Sequence, residues 1–172
     1  MDGKAAIDCQ VRPAGLDDAD GITRLAWDLL RFHAELSPEW TRPLDGYDAF
    51  HEVWHPYLYG FISGTGSEAM VATVGDRLVG YLLLALRDRP PIFQGPPDLV
   101  VAEVMVIPEL RGAGVGARLM AAGYDWGAEK GAGYARLHVY EHNAGALRFY
   151  EREGFISHER VLLRKLDGPA DG

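Results

Sequence analysis

The hydrophobic positions of the chain follow helix-like and strand-like periods, and the N-terminal half begins with one of each. Alternating apolar residues that stop at Pro13 predict a first strand over residues 7–13. Asp17 or Asp18 can then cap a helix that ends by Ser37-Pro38, because the residue before a proline disfavours helical backbone. The apolar positions of this helix recur at intervals of three and four, at Ile22, Leu25, Leu29, Phe32 and Leu36.

A second helix and a hairpin are predicted next. Aromatic residues at helical spacing, from Tyr47 onward, indicate a helix that reaches Leu58. Two β-rich runs in "AMVATVGDRLVGYLLLAL" meet around Gly75-Asp76-Arg77, which predicts an antiparallel hairpin. The following segment, "RDRPPIFQGPPD", has four prolines and no periodicity, so we expect a loop.

The C-terminal half alternates strands and helices. The apolar run from Leu99 to Ile107, broken by Glu103, predicts a strand buried on both faces. A helix with an end signal at Lys130-Gly131 follows, then a strand at "YARLHVY". Asn143 can cap a last helix, which runs through Glu153 and closes at Gly154, and a final strand is expected around "ERVLLRKL". The order predicts a mixed α/β or α+β domain.

Composition indicates one soluble globular domain. A length of 172 residues suits a single core, with 48% hydrophobic and 24% charged residues. We therefore expect one domain over 1–166 and a disordered tail over 167–172. The N-terminus lacks a signal-peptide core and the apolar runs are shorter than a bilayer span, so a cytoplasmic protein without membrane contact is expected.

Charge and cysteine content exclude several classes of function. Cys9 is the only cysteine, so an internal disulfide and a cysteine-based zinc site are both ruled out. The formal net charge of −8 disfavours nucleic acid, whose binding depends on neutralising phosphates with Lys and Arg. It weakly favours a cationic partner, although acidity that only maintains solubility explains it equally well.

The segment "VIPELRGAGVGARLM" places three glycines, Gly112, Gly114 and Gly116, between a strand and a helix. Such a turn gathers unpaired amides and the positive end of the helix dipole, which favours phosphate binding. A Rossmann loop is excluded because the third glycine comes one residue early and Arg136 stands where that fold needs an acid. A Walker loop is excluded because no G-K-[ST] follows. Tight turning and close helix packing alone remain the alternative.

This turn is followed by "NAGALRFYEREGF", and the two motifs together resemble the GNAT superfamily of acetyl-CoA-dependent N-acetyltransferases. The resemblance covers residues 99–166 in detail and implies the GNAT fold, a mixed, mostly antiparallel sheet flanked by helices. It implies acetyl-CoA as cosubstrate and an amine of a small molecule or peptide as acceptor. Homodimers are common in the superfamily, so a homodimer is compatible with it.

The resemblance also implies roles for particular residues. Glu103 lies where many members place an acid near the acceptor, and Tyr150 matches the tyrosine that protonates the departing thiolate. Backbone groups of the strand end are expected to bind the pantetheine arm, amides of the turn the pyrophosphate, and Asn143 the pantetheine region. The expected coenzyme-binding residues are Val106, Ile107, Arg111, Gly112, Ala113, Gly114, Val115, Gly116, Ala117 and Asn143.

The chemistry supports these residue types independently of the resemblance. A lysine-like amine, with a pKa of about 10.4, must lose a proton before it attacks a thioester, and a carboxylate can accept that proton. A phenol can stabilise or protonate the sulfur leaving group. The alternatives are a structural carboxylate paired with an arginine for Glu103 and a core aromatic for Tyr150.

The six histidines are scattered, and His51 and His55 are spaced so that they could share a helix face and bind a metal. No further ligand is in register with them, so we expect no metal. Aromatic residues between Trp40 and Tyr59 are expected in the core, with some lining the acceptor site.

The sequence thus predicts an N-acetyltransferase that works by direct attack in a ternary complex. The alternatives are a GNAT-fold module that binds acyl-CoA without turnover, as a sensor or structural subunit, and an enzyme that transfers a larger acyl group. The identity of the acceptor amine is beyond the reach of the sequence.

Overall fold

The computed structural model describes residues 7–165, and these fall into two compact units that divide after Tyr140. The first unit contains a sheet and the helices that cover it, and the second carries the last helix. The elements are β1 (Gln10–Pro13), α1 (Ala19–Leu36), α2 (Tyr47–Ser63), β2 (Ser67–Val74), β3 (Arg77–Arg87), β4 (Asp98–Val106), α3 (Val115–Glu129), β5 (Tyr134–Leu137) and α4 (Ala144–Arg152). No described helix combines the length and apolar character that a membrane span requires.

The sheet has the order β1-β2-β3-β4-β5. Its first three pairings are antiparallel, and β5 alone pairs in parallel with its neighbour β4. The predicted mixed, mostly antiparallel sheet is therefore confirmed. One irregularity affects the site: Leu83 pairs with Glu103 and Leu84 with Val101, so Ala102 is an extra residue that makes a β-bulge in β4.

The sheet is covered by helices on both faces. The core on the α1 and α2 side joins the apolar stripes of these helices to inward-facing strand residues, among them Ile22, Phe50, Leu58, Tyr81, Leu83 and Met105. On the other face α3 approaches so closely that a Cβ added at Gly123 would lie 2.8 Å from a methyl carbon of Leu82. Because alternate strand residues face opposite sides, Glu103 shares the α1 and α2 face with Leu83.

The predicted ends of α1, of the first strand of the hairpin and of α3 are confirmed in position, but the predicted cap of α1 differs in its chemistry. α1 ends at Leu36, the hairpin turns at Gly75 and Asp76, and the α3 end signal is confirmed by Gly131 with φ +78°. Asp18 is the N-cap of α1, but its side chain makes no capping bond to that helix. Its carboxylate instead accepts hydrogen bonds from Arg12 at 2.7 and 2.8 Å and from the Gly15 amide at 2.8 Å.

Several predictions of bounds and elements are wrong. β1 begins at Gln10, three residues after its predicted start. α2 continues beyond Leu58 to Ser63, because Phe61 extends its buried apolar stripe by another turn. β5 ends at Leu137, before the end of the alternating run that suggested it. Residues 156–165 form no helix or strand within the described part of the chain, so the predicted final strand is also wrong there. Alternation favours extended backbone but supplies no hydrogen-bonded neighbour. The predicted tail, 167–172, lies outside the described residues.

Candidate active site

β4 continues beyond the end of its partner β5. The parallel pairing covers only the residues from Asp98 to Val101, opposite Tyr134 to Leu137. Among the residues that the structure describes, the edge of β4 from Ala102 to Val106 pairs with no strand on that side. An open depression lies where the two strands part. An extended ligand with amide groups can therefore hydrogen-bond to this edge as another strand would.

At the end of β4, Val106 and Ile107 differ in which of their backbone groups are already hydrogen-bonded within the fold. The Ile107 amide donates to the Val79 carbonyl at 2.9 Å, and the Ile107 carbonyl accepts from the Leu110 amide at 3.1 Å. The Val106 carbonyl accepts from Nε of Arg111 at 3.1 Å, which brings the arginine to the open edge. Both backbone groups of Ile107 are thus used by the fold, so Val106 is the better candidate for contact with a pantetheine arm.

The turn before α3 has a backbone that only glycine adopts without strain. Gly112 and Gly114 have φ of +75° and +85°, and a Cβ added at either would meet no atom within 4 Å. The space beside both residues is open, so packing does not require the absence of a side chain there. Their positive φ angles instead direct the chain into α3 and leave room for a ligand against the backbone.

This turn presents a group of amides at the N-terminus of α3. The Arg111 and Ala113 amides donate to the Pro108 and Leu110 carbonyls, both at 3.2 Å. Within the described chain, the other amides of the predicted set have no backbone acceptor: Gly112, Gly114, Val115, Gly116 and Ala117. Together with the positive end of the α3 dipole, these five N–H groups can bind a pyrophosphate. Two of the predicted amides, those of Arg111 and Ala113, are already engaged.

Glu103 lies in β4 beside the bulge, with its carboxylate among aromatic side chains. The Tyr81 hydroxyl donates to a Glu103 oxygen at 2.6 Å. Trp54, from α2, lies near enough to this carboxylate to lower its pKa, and its ring lies 6.3 Å from that of Tyr81. No arginine forms an ion pair with Glu103 among the described residues. The structural alternative of an arginine-paired carboxylate therefore lacks its partner.

Burial raises the pKa of Glu103, and the hydrogen bond from Tyr81 and the nearby Trp54 side chain oppose that rise. The pKa of Tyr57 is also raised, first by burial and then by the nearby charge of Glu103. A carboxylate with a raised pKa is a stronger base once ionised. The site thus combines a half-buried base with neutral donors that hold it in place.

Tyr81 is the site residue that the sequence analysis missed. It is fully buried in β3 and its hydroxyl contacts Glu103 across the strand pair. A signal was available, because a tyrosine inside the apolar run "LVGYLLLAL" must bury a hydroxyl that needs a partner. Trp54 lies beside Tyr81 and Glu103, while the lining of an acceptor site by aromatic residues stays a prediction.

The other two predicted site residues, Asn143 and Tyr150, belong to the second compact unit, on α4. Oδ1 of Asn143 accepts from the Ala146 amide at 3.0 Å, so the predicted helix cap is confirmed. The cap leaves the two N–H groups of the Asn143 side chain able to donate. Tyr150 lies two turns further along, on the same side of α4. Its ring packs against those of Phe149 and Phe155, with centroids 5.3 and 5.7 Å away.

Known proteins share this architecture. A tetramutant of the BH1408 protein from Bacillus halodurans superposes with a TM-score of 0.78 at 21% identity, over 91% of this chain and 99% of that one. The aminoglycoside N-acetyltransferase AAC(6')-Iy in complex with CoA gives 0.69 at 18% identity, over 92% and 94%. At these identities the likeness concerns the fold.

Sequence comparison shows the family. A mycothiol acetyltransferase from Corynebacterium aurimucosum is 30% identical over 142 residues, which are 82% of this chain and 40% of that protein. The chain thus spans less than half the length of that curated relative. Residues 29–155 match the Acetyltransferase (GNAT) family. This match includes the β4 strand, the glycine turn and α4, so the chain belongs to the GNAT acetyltransferase family.

Proposed function

We propose that this protein is an N-acetyltransferase, which transfers the acetyl group of acetyl-CoA to an amine of a small molecule or peptide by direct attack in a ternary complex. One observation carries the proposal. A single segment of chain holds a half-buried carboxylate at Glu103, an unpaired strand edge to Val106 and five unpaired amides in the turn that follows. These are the groups needed for an amine, an extended amide-bearing arm and a pyrophosphate.

The coenzyme is bound mainly by backbone. The Val106 region of β4 pairs with the pantetheine amides, and the amides of Gly112 and Gly114 to Ala117 donate to the pyrophosphate. Asn143 donates to the pantetheine region through its side-chain N–H groups. Backbone groups recognise the charge and shape of the coenzyme, which suits acetyl-CoA. The side chains next to the thioester determine how large an acyl group can bind.

Glu103 acts as the base. It accepts a proton from the ammonium form of the acceptor, directly or through one water, and its charge attracts that cation beforehand. The free amine then attacks the thioester carbonyl, the C–N bond forms and the C–S bond breaks. Tyr150 stabilises or protonates the sulfur that leaves. Two protons leave the nitrogen in total. One passes from the ammonium to Glu103 and on to solvent, and the other leaves after the attack and replaces the proton that Tyr150 gives to the thiolate.

The acceptor is a cationic amine in this proposal. The net charge of −8 and the base at Glu103 both favour a positively charged partner. The fold neighbours include the aminoglycoside N-acetyltransferase AAC(6')-Iy and an aminoglycoside acetyltransferase crystallised in complex with sisomicin. We therefore include an aminoglycoside in the acceptor panel, beside a polyamine, an amino acid and a peptide N-terminus.

The test is acceptor-dependent release of free thiol from acetyl-CoA across that panel, with coenzyme binding measured in parallel. We expect coenzyme A, at about 100-fold its Kd, to raise the Tm by roughly 5 to 10 °C, and at least one amine to release thiol. Coenzyme binding without thiol release for any amine would favour the non-catalytic module. A Tm raised by NADH or ATP and not by coenzyme A would overturn the proposal.

Tyr150→Phe tests the catalytic step within the same assay. The variant keeps the ring packing against Phe149 and Phe155 and removes the hydroxyl. We expect coenzyme affinity to be retained and kcat to fall by about 100-fold, the lower end for general acid–base catalysis. Tyr134→Phe, at an exposed tyrosine of β5, is the matched control and should leave kcat unchanged. Equal kcat in both variants would remove Tyr150 from the mechanism.

A further inference from the structure

The structure brings Asp20 of α1 against the two histidines of α2 that the sequence spaced four residues apart. Oδ1 of Asp20 lies 3.7 Å from Nε2 of His51 and 3.5 Å from Nε2 of His55. Ligand atoms of the three residues all lie within 4.8 Å of one another. The sequence offered no third ligand for this histidine pair, because Asp20 is supplied by the packing of one helix on another.

The two distances from Asp20 are close to those expected around a shared ion. Both Asp20 contacts exceed the 2.7–3.2 Å of a direct N–H···O hydrogen bond. Two ligands bound tetrahedrally at about 2.0–2.1 Å from a zinc ion are separated by roughly 3.3 Å. The observed 3.5 and 3.7 Å are close to that value. Small side-chain rotations can therefore place all three atoms on one ion.

The two imidazoles are held in a common orientation. Their rings stack with centroids 4.6 Å apart and planes 22° from parallel. Tyr47 lies beyond His51 at 5.8 Å and Tyr59 beyond His55 at 4.9 Å, so the pair lies in a row of four rings along α2. The helices themselves are fixed by core contacts such as Trp27 on Phe50, at 5.3 Å. The two imidazoles therefore have little rotational freedom left to lose on binding.

We propose that Asp20, His51 and His55 form a binding site for a divalent transition-metal ion, with Zn²⁺ as the best-suited ion. Two imidazole nitrogens and one carboxylate oxygen suit zinc, whereas Mg²⁺ and Ca²⁺ prefer all-oxygen sites. Three protein ligands leave a fourth position for water. The Asp20 side chain is 80% exposed, so the site is accessible to solvent. A bound ion joins the start of α1 to α2.

The test is a Zn²⁺ titration of the full chain, without a polyhistidine tag and after removal of metal with a chelator. We expect one equivalent to bind by calorimetry, and the Tm to rise by about 5 to 10 °C at Zn²⁺ concentrations near 100-fold the Kd. His55→Gln should abolish the shift. Asp20→Asn should reduce it strongly, and because Asp20 is exposed this variant keeps its fold. Circular dichroism checks the fold of both.

His158→Gln, at an exposed histidine outside the cluster, is the matched control and should retain the full Zn²⁺ response. Mg²⁺ at the same concentration should leave the Tm unchanged, which separates the site from general screening of acidic charge. Absence of Zn²⁺ binding would overturn the proposal. So would a Zn²⁺ response that persists unchanged in both the His55→Gln and Asp20→Asn variants. Neither result bears on acetyl transfer, which is measured separately.

Discussion

The hydroxyl of Tyr81 donates a hydrogen bond to the Glu103 carboxylate, with 2.6 Å between the two oxygens. Tyr81 is fully buried, and burial, followed by the charge of Glu103, raises its pKa well above the ordinary value. The phenol therefore stays protonated and remains a donor throughout the neutral range. This bond lowers the pKa of Glu103 against the rise that burial causes. Tyr81 is thus a positioning residue for the proposed base.

Tyr81→Phe should move the acidic limb of the kcat/KM profile to higher pH. Loss of the hydroxyl removes a bond that lowers the pKa of Glu103, so the carboxylate stays protonated to a higher pH and is inactive as a base there. The acceptor oxygen left without its donor should also cost about 1–3 kcal/mol of stability. Tyr134→Phe provides the control for loss of a hydroxyl at an exposed site. An acidic limb at its wild-type pH would show that Tyr81 only packs.

Glu103→Gln should stabilise the protein increasingly as the pH rises. Burial raises the pKa of Glu103 in the folded state, so its contribution to stability is fully present below the unfolded pKa of about 4.3 and is lost as the pH rises through the folded pKa. Glutamine keeps the shape and has no charge to bury. We expect the Tm of the variant relative to wild type to increase between pH 4 and pH 8, which thermal unfolding across that range measures.

Two measurements complete this comparison. Glu109→Gln, at an exposed glutamate after β4, is the control for loss of a carboxylate away from the buried site. In the activity assay, Glu103→Gln should raise the acceptor KM and lower kcat/KM for a lysine-like amine far more than for an amine of low pKa, which needs no base. Equal losses for both amines would argue that Glu103 is structural.

Gly114→Asp should abolish coenzyme binding while leaving the apo fold largely intact. The substitution places a negative side chain in open space beside the unpaired amides of the turn, where phosphate is proposed to bind. It also forces a non-glycine residue to φ +85°, at a cost of roughly 1–2 kcal/mol. Gly75→Asp, at φ +56° and also in open space, carries a comparable backbone cost in the β2–β3 hairpin.

The Tm of Gly114→Asp and of Gly75→Asp is measured with and without coenzyme A. Both should lower the Tm of the apo protein, and only Gly114→Asp should lose the Tm rise with coenzyme A. A retained rise in a folded Gly114→Asp protein would return the glycines to the role of turn and packing residues.

Local signals along the chain were sufficient to predict most of the fold. The proline after Ser37, the positive φ at Gly131 and the Asn143 cap act within a few residues, and each marks an element end that the structure confirms. The final strand predicted around "ERVLLRKL" failed because a strand depends on a partner distant in sequence, which the local sequence does not specify. The bulge at Ala102 is likewise set by the pairing of two strands.

The parts of the site that local backbone geometry forms could be predicted from the sequence. The contacts between side chains of different elements could not. Gly112 and Gly114 signal their turn through the φ angles that only glycine adopts freely. Which amides stay unpaired depended on the turn's own hydrogen bonds, which engage Arg111 and Ala113. The Tyr81 contact with Glu103 joins residues 22 apart in sequence, so no local pattern contains it.

Asn143 has two roles to separate, because its side chain both caps α4 and is proposed to bind coenzyme. Asn143→Ala removes the cap, so we expect a loss of about 0.5–2 kcal/mol in stability. Asn143→Asp keeps an oxygen for the Ala146 amide and removes both side-chain donors. If those donors bind the pantetheine region, coenzyme affinity should fall in both variants by roughly 2- to 10-fold, the worth of one hydrogen bond.

Isothermal titration with coenzyme A and thermal unfolding of the apo protein separate the two roles. Asn143→Asp should match wild type in stability, helped by its charge at the positive end of the α4 dipole, and should still bind coenzyme more weakly. Because that charge could itself repel the pyrophosphate, Asn143→Ser, which can cap without adding charge, must show the same loss of affinity. The opposite result is wild-type affinity in Asn143→Ser, with stability and affinity reduced only in Asn143→Ala. It would mean that Asn143 contributes to coenzyme binding only by stabilising the start of α4.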